Sequence, residues 1–367
     1  MIEVAALTSG RNVPSRRFRV AQHIGPLQDL GVCVTEYPAV VSKYASLPLW
    51  PQRWPRQYGY PLYGAWQAVK LAARMPGVMG SWRSRVTWLE RELISGAPTL
   101  EFFLRRPLVF DVDDAIWLSP PFGRLAAKSM ARRADVVLAG NRYVADWFGR
   151  YAREVRIVPT AVDTDRFRPS RSEPRDAGSI FTIGWTGISW NLPYLAAIEE
   201  PLAQFLRDCS GTRLLVIADR PPVLKRIPAD RLEFQLWNPA VEAEAILRMD
   251  LGLMPLPDNA WTRGKASFKM LQYMACGLPV IVSPVGMNLE VLALGRVGLA
   301  ATSPGDWYQA LVCLYQDRDL GWRLGRTGRA LVESQFSRAV VSKKLADIFH
   351  ELDRQPARPR KRQKDGL

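Results

Sequence analysis

Histidine and cysteine are scarce in this chain, and no long apolar run interrupts it. His23 and His350 are the two histidines among 367 residues and stand far apart, so a histidine-built metal centre is not expected. The four cysteines, Cys33, Cys209, Cys276 and Cys313, have no paired CxxC spacing and sit in apolar segments. That reads as reduced core thiols, not as a disulfide framework or a zinc site. No stretch approaches the roughly 20 apolar residues of a membrane-spanning helix. Met1-Ile-Glu-Val-Ala-Ala-Leu-Thr-Ser-Gly10 reads as a short strand and turn, not a secretion signal. The expected location is cytoplasmic, soluble or peripheral on the inner face of the membrane.

Positive charge is what the chain has in excess. The net charge is +15, and it is uneven. Lys43 to Arg91 carries eight basic residues against Glu90, or +7, and Arg354 onward carries six against Asp365, or +5. These pieces imply an anionic partner met at particular surfaces. The 43–91 segment also holds Trp50, Trp54, Trp66, Trp82 and Trp88, and Trp82, Val86, Leu89 and Leu93 fall on one helical face. Basic residues and tryptophan on an amphipathic helix suit an anionic membrane surface, which the 354–364 tail would also meet. The alternative is a helical excursion packed on the first domain, with Arg over aromatic rings. No nucleic acid is expected, because no recognised module accompanies the charge.

Hydrophobic residues make up 48% of the chain, and its length suits two domains of roughly 150 to 200 residues. Continuous apolar strands alternate with helices: strands at 4–7, 32–37, 107–111, 134–139 and 155–159, then a second series from Ile180. Each half reads as a doubly wound parallel sheet. The polar run 169–178 is the linker candidate.

Arg263-Gly264-Lys265-Ala-Ser-Phe-Lys269-Met-Leu-Gln272 joins a basic glycine loop to a helix that Gly277-Leu-Pro279 stops, followed by a strand and the turn Ser283-Pro-Val-Gly286-Met287-Asn288. In that helix Phe268, Leu271 and Ala275 should face the core, with Lys265, Lys269 and Gln272 elsewhere. Lysine at a helix start meets the positive end of the dipole, so two there point to a bound anion, a diphosphate being the obvious one. The alternative is that both point to solvent. Gly187, in Trp185-Thr-Gly187-Ile-Ser189-Trp-Asn191, lets a ligand approach the backbone, while Ser189 or Asn191 can cap the next helix.

At these residues the chain resembles the retaining nucleotide-sugar glycosyltransferases of family 4, or group 1, with the GT-B fold. Val158-Pro-Thr-Ala-Val-Asp163-Thr-Asp-Arg-Phe167 resembles the interdomain segment, and Lys269-Met-Leu-Gln272-Tyr-Met-Ala-Cys-Gly277-Leu-Pro279-Val the signature helix. Ser15-Arg-Arg-Phe-Arg19-Val and Phe110-Asp-Val-Asp113-Asp114-Ala-Ile-Trp117 resemble motifs of a subset of the family. The resemblance implies two Rossmann-like doubly wound domains facing an interdomain cleft. The acceptor-side domain would be 1–168 with the 43–91 insert, and 179–337 the donor domain, followed by a helix at 338–353 and a basic tail at 354–367 that composition marks as disordered. Where the family often has two glutamates eight positions apart, this chain has Gly264 and Gln272, and Asp258 is the nearest substitute carboxylate.

The implied reaction moves a sugar from a nucleoside diphosphate sugar to an acceptor hydroxyl, on a glycan or lipid-linked acceptor at the membrane surface. Lys265 and Lys269 would stabilise the leaving diphosphate, and no cofactor or metal is implied. Asp113 and Asp114 would bind or activate the acceptor hydroxyl, or else cap a helix within a salt bridge. Gly10 and Arg11 would face the donor phosphates, with Arg16 and Arg19 assisting on the acceptor side. Gly187, Trp237, Arg263, Gly286, Met287, Asn288 and Glu290 complete the donor contacts, although Trp237 also suits a core. A GT-B phosphorylase or epimerase, an inactive GT-B scaffold, and last a nucleic-acid-binding protein, are the alternatives.

Overall fold

The computed structural model describes residues 1–11, 13–43, 45, 59–170, 173, 176 and 178–354. Trp50, Trp54, the tail beyond 354 and much of the 169–178 linker lie outside the described residues. The chain forms two compact units, Met1–Pro159 with Val341–Leu367, and Thr160–Val340.

The first unit runs β1 (Ile2–Thr8), α1 (Ile24–Asp29), β2 (Val32–Pro38), α2 (Gly59–Ala72), α3 (Met75–Ser81), β3 (Val86–Glu90), β4 (Leu108–Val112), α4 (Gly123–Arg133), β5 (Val136–Ala139), α5 (Arg142–Phe148) and β6 (Val155–Ile157). Its sheet is parallel, in the order β2-β1-β3-β4-β5-β6. Every residue of β3 and β4 is buried, as strands covered on both faces by crossover helices must be.

The second unit runs β7 (Phe181–Thr186), α6 (Leu192–Ala196), α7 (Glu199–Asp208), β8 (Thr212–Ala218), β9 (Leu232–Leu236), α8 (Glu242–Leu247), β10 (Leu251–Met254), α9 (Ala260–Arg263), α10 (Phe268–Ala275), β11 (Val280–Val282), α11 (Met287–Ala293), β12 (Gly298–Ala300), α12 (Pro304–Gln316) and α13 (Arg318–Leu331). Helix α14 (Arg338–Arg354) follows and passes into the first unit at Val341. This sheet is also parallel, ordered β12-β11-β10-β7-β8-β9. Val162 and Phe167 are buried in the second unit's core, and Val162 bridges to Ser337, so Asp163 to Phe167 folds with this unit and not with the first. Two-way caps start α9 at Asn259 and α12 at Ser303.

Three expectations change. Trp82 to Leu93 is not an amphipathic helix: Val86–Glu90 is a central strand, with Trp88 fully buried. Several insert cations are internal too. Lys43 donates to the Glu92 carbonyl at 3.2 Å, Lys70 to that of Lys43 at 3.0 Å, and Arg74 to those of Thr8 and Leu93 at 2.6 and 2.9 Å. Those carbonyls, together with the Glu92 carboxylate 3.6 Å from Lys43, take up the charge in place of a surface anion. Of the four thiols Cys276 alone is buried, whereas Cys33 and Cys313 are exposed because each sits on the outward side of its strand or helix.

Candidate functional site

In the second unit the strand order reverses between β7 and β10. Loops at the carboxyl ends of strands flanking such a reversal diverge and leave a crevice for ligands. Gly187 follows β7, and a Cβ there would lie 2.5 Å from the Trp185 ring and 2.8 Å from Lys269 Cε. Only glycine lets this loop lie directly on Lys269.

Aromatic faces hold the two lysines. Lys269 Nζ sits 5.0 Å from the Trp185 ring centre, and Lys265 Nζ 5.8 and 5.7 Å from those of Tyr194 and Trp261. Among the described residues no carboxylate is ion-paired with Lys269. Burial of the ammonium, then repulsion from Lys265, lowers the Lys269 pKa to about 7. Lys269, crowded by a second cation and paired with no carboxylate among the described residues, makes a site that an anion completes.

The surrounding backbone is shaped to fit. Ser267, in the left-handed region at φ 50°, donates to Asn288 Oδ1 at 2.7 Å, and Asn288 donates to the Ser283 carbonyl at 2.9 Å. The start of α10 is thereby tied to the loop after β11. Gly286 has φ 53°, and a Cβ there would meet the Arg263 carbonyl at 2.5 Å. Met287 and Asn288 are buried beside it, and Glu290 is half-buried one turn along. Arg263 pairs with Asp258 at 2.6 and 2.9 Å, both exposed, while Gly264 closes α9. Ser189 caps no helix; it bonds Asp219 instead.

Gln272 and Trp237 meet through a residue that sequence reasoning missed. Glu242 Oε1 accepts from Gln272 Nε2 and from Trp237 Nε1, each at 3.1 Å. Its place at the head of a short helix, beside Glu244, carries no signal that would single it out.

The first unit assembles a different cluster at the ends of β1, β3 and β4. Arg91, strained at φ 56°, donates to Asp113 at 2.7 Å and to Asp114 at 2.5 Å. Burial alone would raise the Asp113 carboxyl, but Arg91 and then Arg19 outweigh it and hold its pKa below the ordinary value. Arg19 is buried and grips Asp111 Oδ1 at 2.9 and 2.6 Å, and Trp88 Nε1 donates to the other oxygen at 3.1 Å. Burial pushes Asp111 up to about 6 against the pull of Arg19. Arg16 forms a two-pronged pair with Glu36 at 2.6 and 2.7 Å. Gly10 is buried and Arg11 exposed at the turn after β1. A hollow lined by Phe181, Gly277, Pro279, Arg318 and Trp322 lies at the opposite, amino ends of the second sheet and contains none of this chemistry.

Residues 184–317 match the family described as Glycosyl transferases group 1. The GDP-mannose-dependent alpha-(1-6)-phosphatidylinositol monomannoside mannosyltransferase of Mycobacterium tuberculosis is 24% identical over 258 residues, covering 64% of this chain and 66% of the relative, slightly under two thirds of its length. Among solved structures, sucrose-phosphate synthase from Thermosynechococcus elongatus superposes with a TM-score of 0.67 at 14% identity, over 96% of this chain and 99% of that one. HepE of Anabaena, solved with UDP and glucose, gives 0.66 at 13%, over 96% and 100%. These likenesses establish the fold as GT-B, with two Rossmann-like domains.

Proposed function

For a chain that belongs to the group 1 glycosyltransferases, we propose that it moves a sugar from a nucleoside diphosphate sugar to an acceptor hydroxyl, with retention of configuration. The lysine pair beneath the Gly187 loop is the observation that carries this reading. As the bond from the sugar to the diphosphate breaks, negative charge grows on the leaving oxygen. Two ammonium groups fixed in place before the reaction stabilise that charge without reorganising. No metal enters this reading. Asp258 with Arg263, Gln272, Glu290 and the Met287 backbone bind the donor's hydroxyls, while Asn288 holds the loop that presents them. Asp113, kept anionic by Arg91, and Asp114 beside it accept a hydrogen bond from the acceptor hydroxyl and orient it; the depressed Asp113 pKa suits that role better than proton abstraction.

A thermal-shift screen against UDP-, GDP-, ADP- and dTDP-sugars tests the donor. At a hundred times its Kd a ligand stabilises the native state by about 2.7 kcal/mol, so one nucleotide class should raise Tm by several degrees. No shift with any of them would remove the donor assignment.

The acceptor in this reading is lipid-linked, in keeping with the glycolipid named for the mycobacterial relative. Trp82, Phe102 and Phe103 of the first unit are 61%, 60% and 57% exposed. Trp82 donates to the Phe103 carbonyl, Arg105 donates to the Trp82 carbonyl, and Arg133 donates to the Glu101 and Leu104 carbonyls with its guanidinium 5.0 Å from the Phe102 ring. Exposed aromatics ringed by guanidinium groups suit an anionic lipid interface. The protein should co-sediment with phosphatidylglycerol vesicles, and the Trp82→Ala, Phe102→Ala, Phe103→Ala triple variant should release it. Wild-type protein left in the supernatant would refute the membrane assignment.

A further inference from the structure

We propose that Glu242 is a positioning residue for the donor: it locks the Gln272 amide with its N–H inward and its carbonyl oxygen toward the ligand, and holds the Trp237 indole alongside. The inference rests on the donor reading above and deepens it.

A carboxylate only accepts hydrogen bonds, so a glutamine touching one must turn its amide N–H toward it. The contact from Gln272 Nε2 to Glu242 Oε1 therefore fixes where the other end of the amide points. Among the described residues Gln272 makes no other side-chain hydrogen bond, and its Oε1 is not sealed from solvent. Glu242 is itself held on that oxygen: it is only 5% exposed and takes Trp237 Nε1 there too, while its other oxygen is buried without a hydrogen bond, 3.5 Å from the Arg166 guanidinium.

The pair also explains why glutamine stands at 272. A glutamate there would set two carboxylates about 3 Å apart, and one would have to take up a proton. Gln272 with Glu242 presents an acceptor outward without that repulsion.

The order of contacts says which part of the donor meets this acceptor. Gln272 lies three residues beyond Lys269, one turn further along α10. Trp237 lies one contact further still, through Glu242. A nucleoside diphosphate whose phosphates sit on Lys265 and Lys269 would bring its ribose hydroxyls to Gln272 Oε1 and its base toward Trp237.

Isothermal titration of whichever of UDP, GDP, ADP or dTDP matches the stabilising sugar, against its counterpart lacking the ribose hydroxyls, tests this. Wild type should favour the hydroxylated ligand by about tenfold, the worth of one well-made hydrogen bond. In Glu242→Gln the Gln272 amide is free to flip, and the preference should fall to near one. The exchange variant Glu242→Gln with Gln272→Glu restores a fixed acceptor at 272 and should recover it. A Glu242→Gln protein that weakens both ligands equally, or an exchange variant that fails to regain the preference, overturns the positioning role. Wild-type protein that binds no nucleoside diphosphate overturns the donor reading itself.

Discussion

Replacing Lys269 by alanine lowers kcat/KM by about 10²- to 10³-fold, and replacing Lys265 as well takes transfer below detection. Each ammonium is a preorganised donor aimed at charge that develops on the leaving diphosphate, and losing one such donor typically costs that much. The pH dependence gives an independent readout. Lys269 has a folded pKa of about 7, against the usual 10.5, because of burial and Lys265. A bound diphosphate favours the protonated form and raises that pKa, so binding above pH 7 takes up a proton. Affinity should therefore be flat below about pH 6 and fall roughly tenfold per unit above about 7. For the free protein the sign is opposite. The unfolded chain holds the lysine proton between pH 7 and 10.5 and the native state does not, so Lys269 makes the native state more stable as pH rises through that window. Calorimetry in buffers of different ionisation enthalpy would count the proton. A diphosphate affinity independent of pH between 6 and 9, or a Lys269→Ala enzyme with full activity, would contradict the assignment.

Asp111→Ala destabilises the first unit by about 3–5 kcal/mol, as expected when one partner of a buried ion pair is removed and the other stays. Arg19 would be left with its guanidinium in a 3% exposed position, and Trp88 would lose the acceptor for its indole N–H. Replacing both charges, as in Arg19→Met with Asp111→Leu, should recover most of the loss, because apolar side chains need no partner there. Urea unfolding of the single and double variants measures the coupling directly. An Asp111→Ala loss below 1 kcal/mol would mean that water reaches the pair and that Arg19 is less committed to Asp111 than its distances indicate.

Much of the fold was legible because parallel strands buried on both faces read as unbroken apolar runs; β4 and β5 fall close to where the sequence puts them, and so does β2. The same property produced the error at Trp82 to Leu93. With both sides of β3 covered, alternation disappears, and Trp82, Val86, Leu89 and Leu93 happen to match a helical spacing. Lys43, Lys70 and Arg74 were misleading for another reason. Their partners are main-chain carbonyls and, for Lys43, the buried Glu92 carboxylate, which composition cannot reveal. Lys265 and Lys269 were conspicuous because lysine is out of place at a helix start, while the indole and phenol rings beneath them come from segments up to 84 residues away, Trp185 among them. Glu242 was hidden likewise: its partner Gln272 is 30 positions distant.

The indole under Lys269 has a kinetic meaning. An ammonium group resting on a π face has no ion pair to break before it can engage an incoming phosphate. Capture of the donor is then limited by shedding water and, above pH 7, by uptake of a proton, not by exchange of one counter-charge for another, and the departing nucleotide lets that proton go again. Such a site reloads quickly and discriminates poorly between anions of similar shape, so selectivity for the sugar has to come from the groups around it.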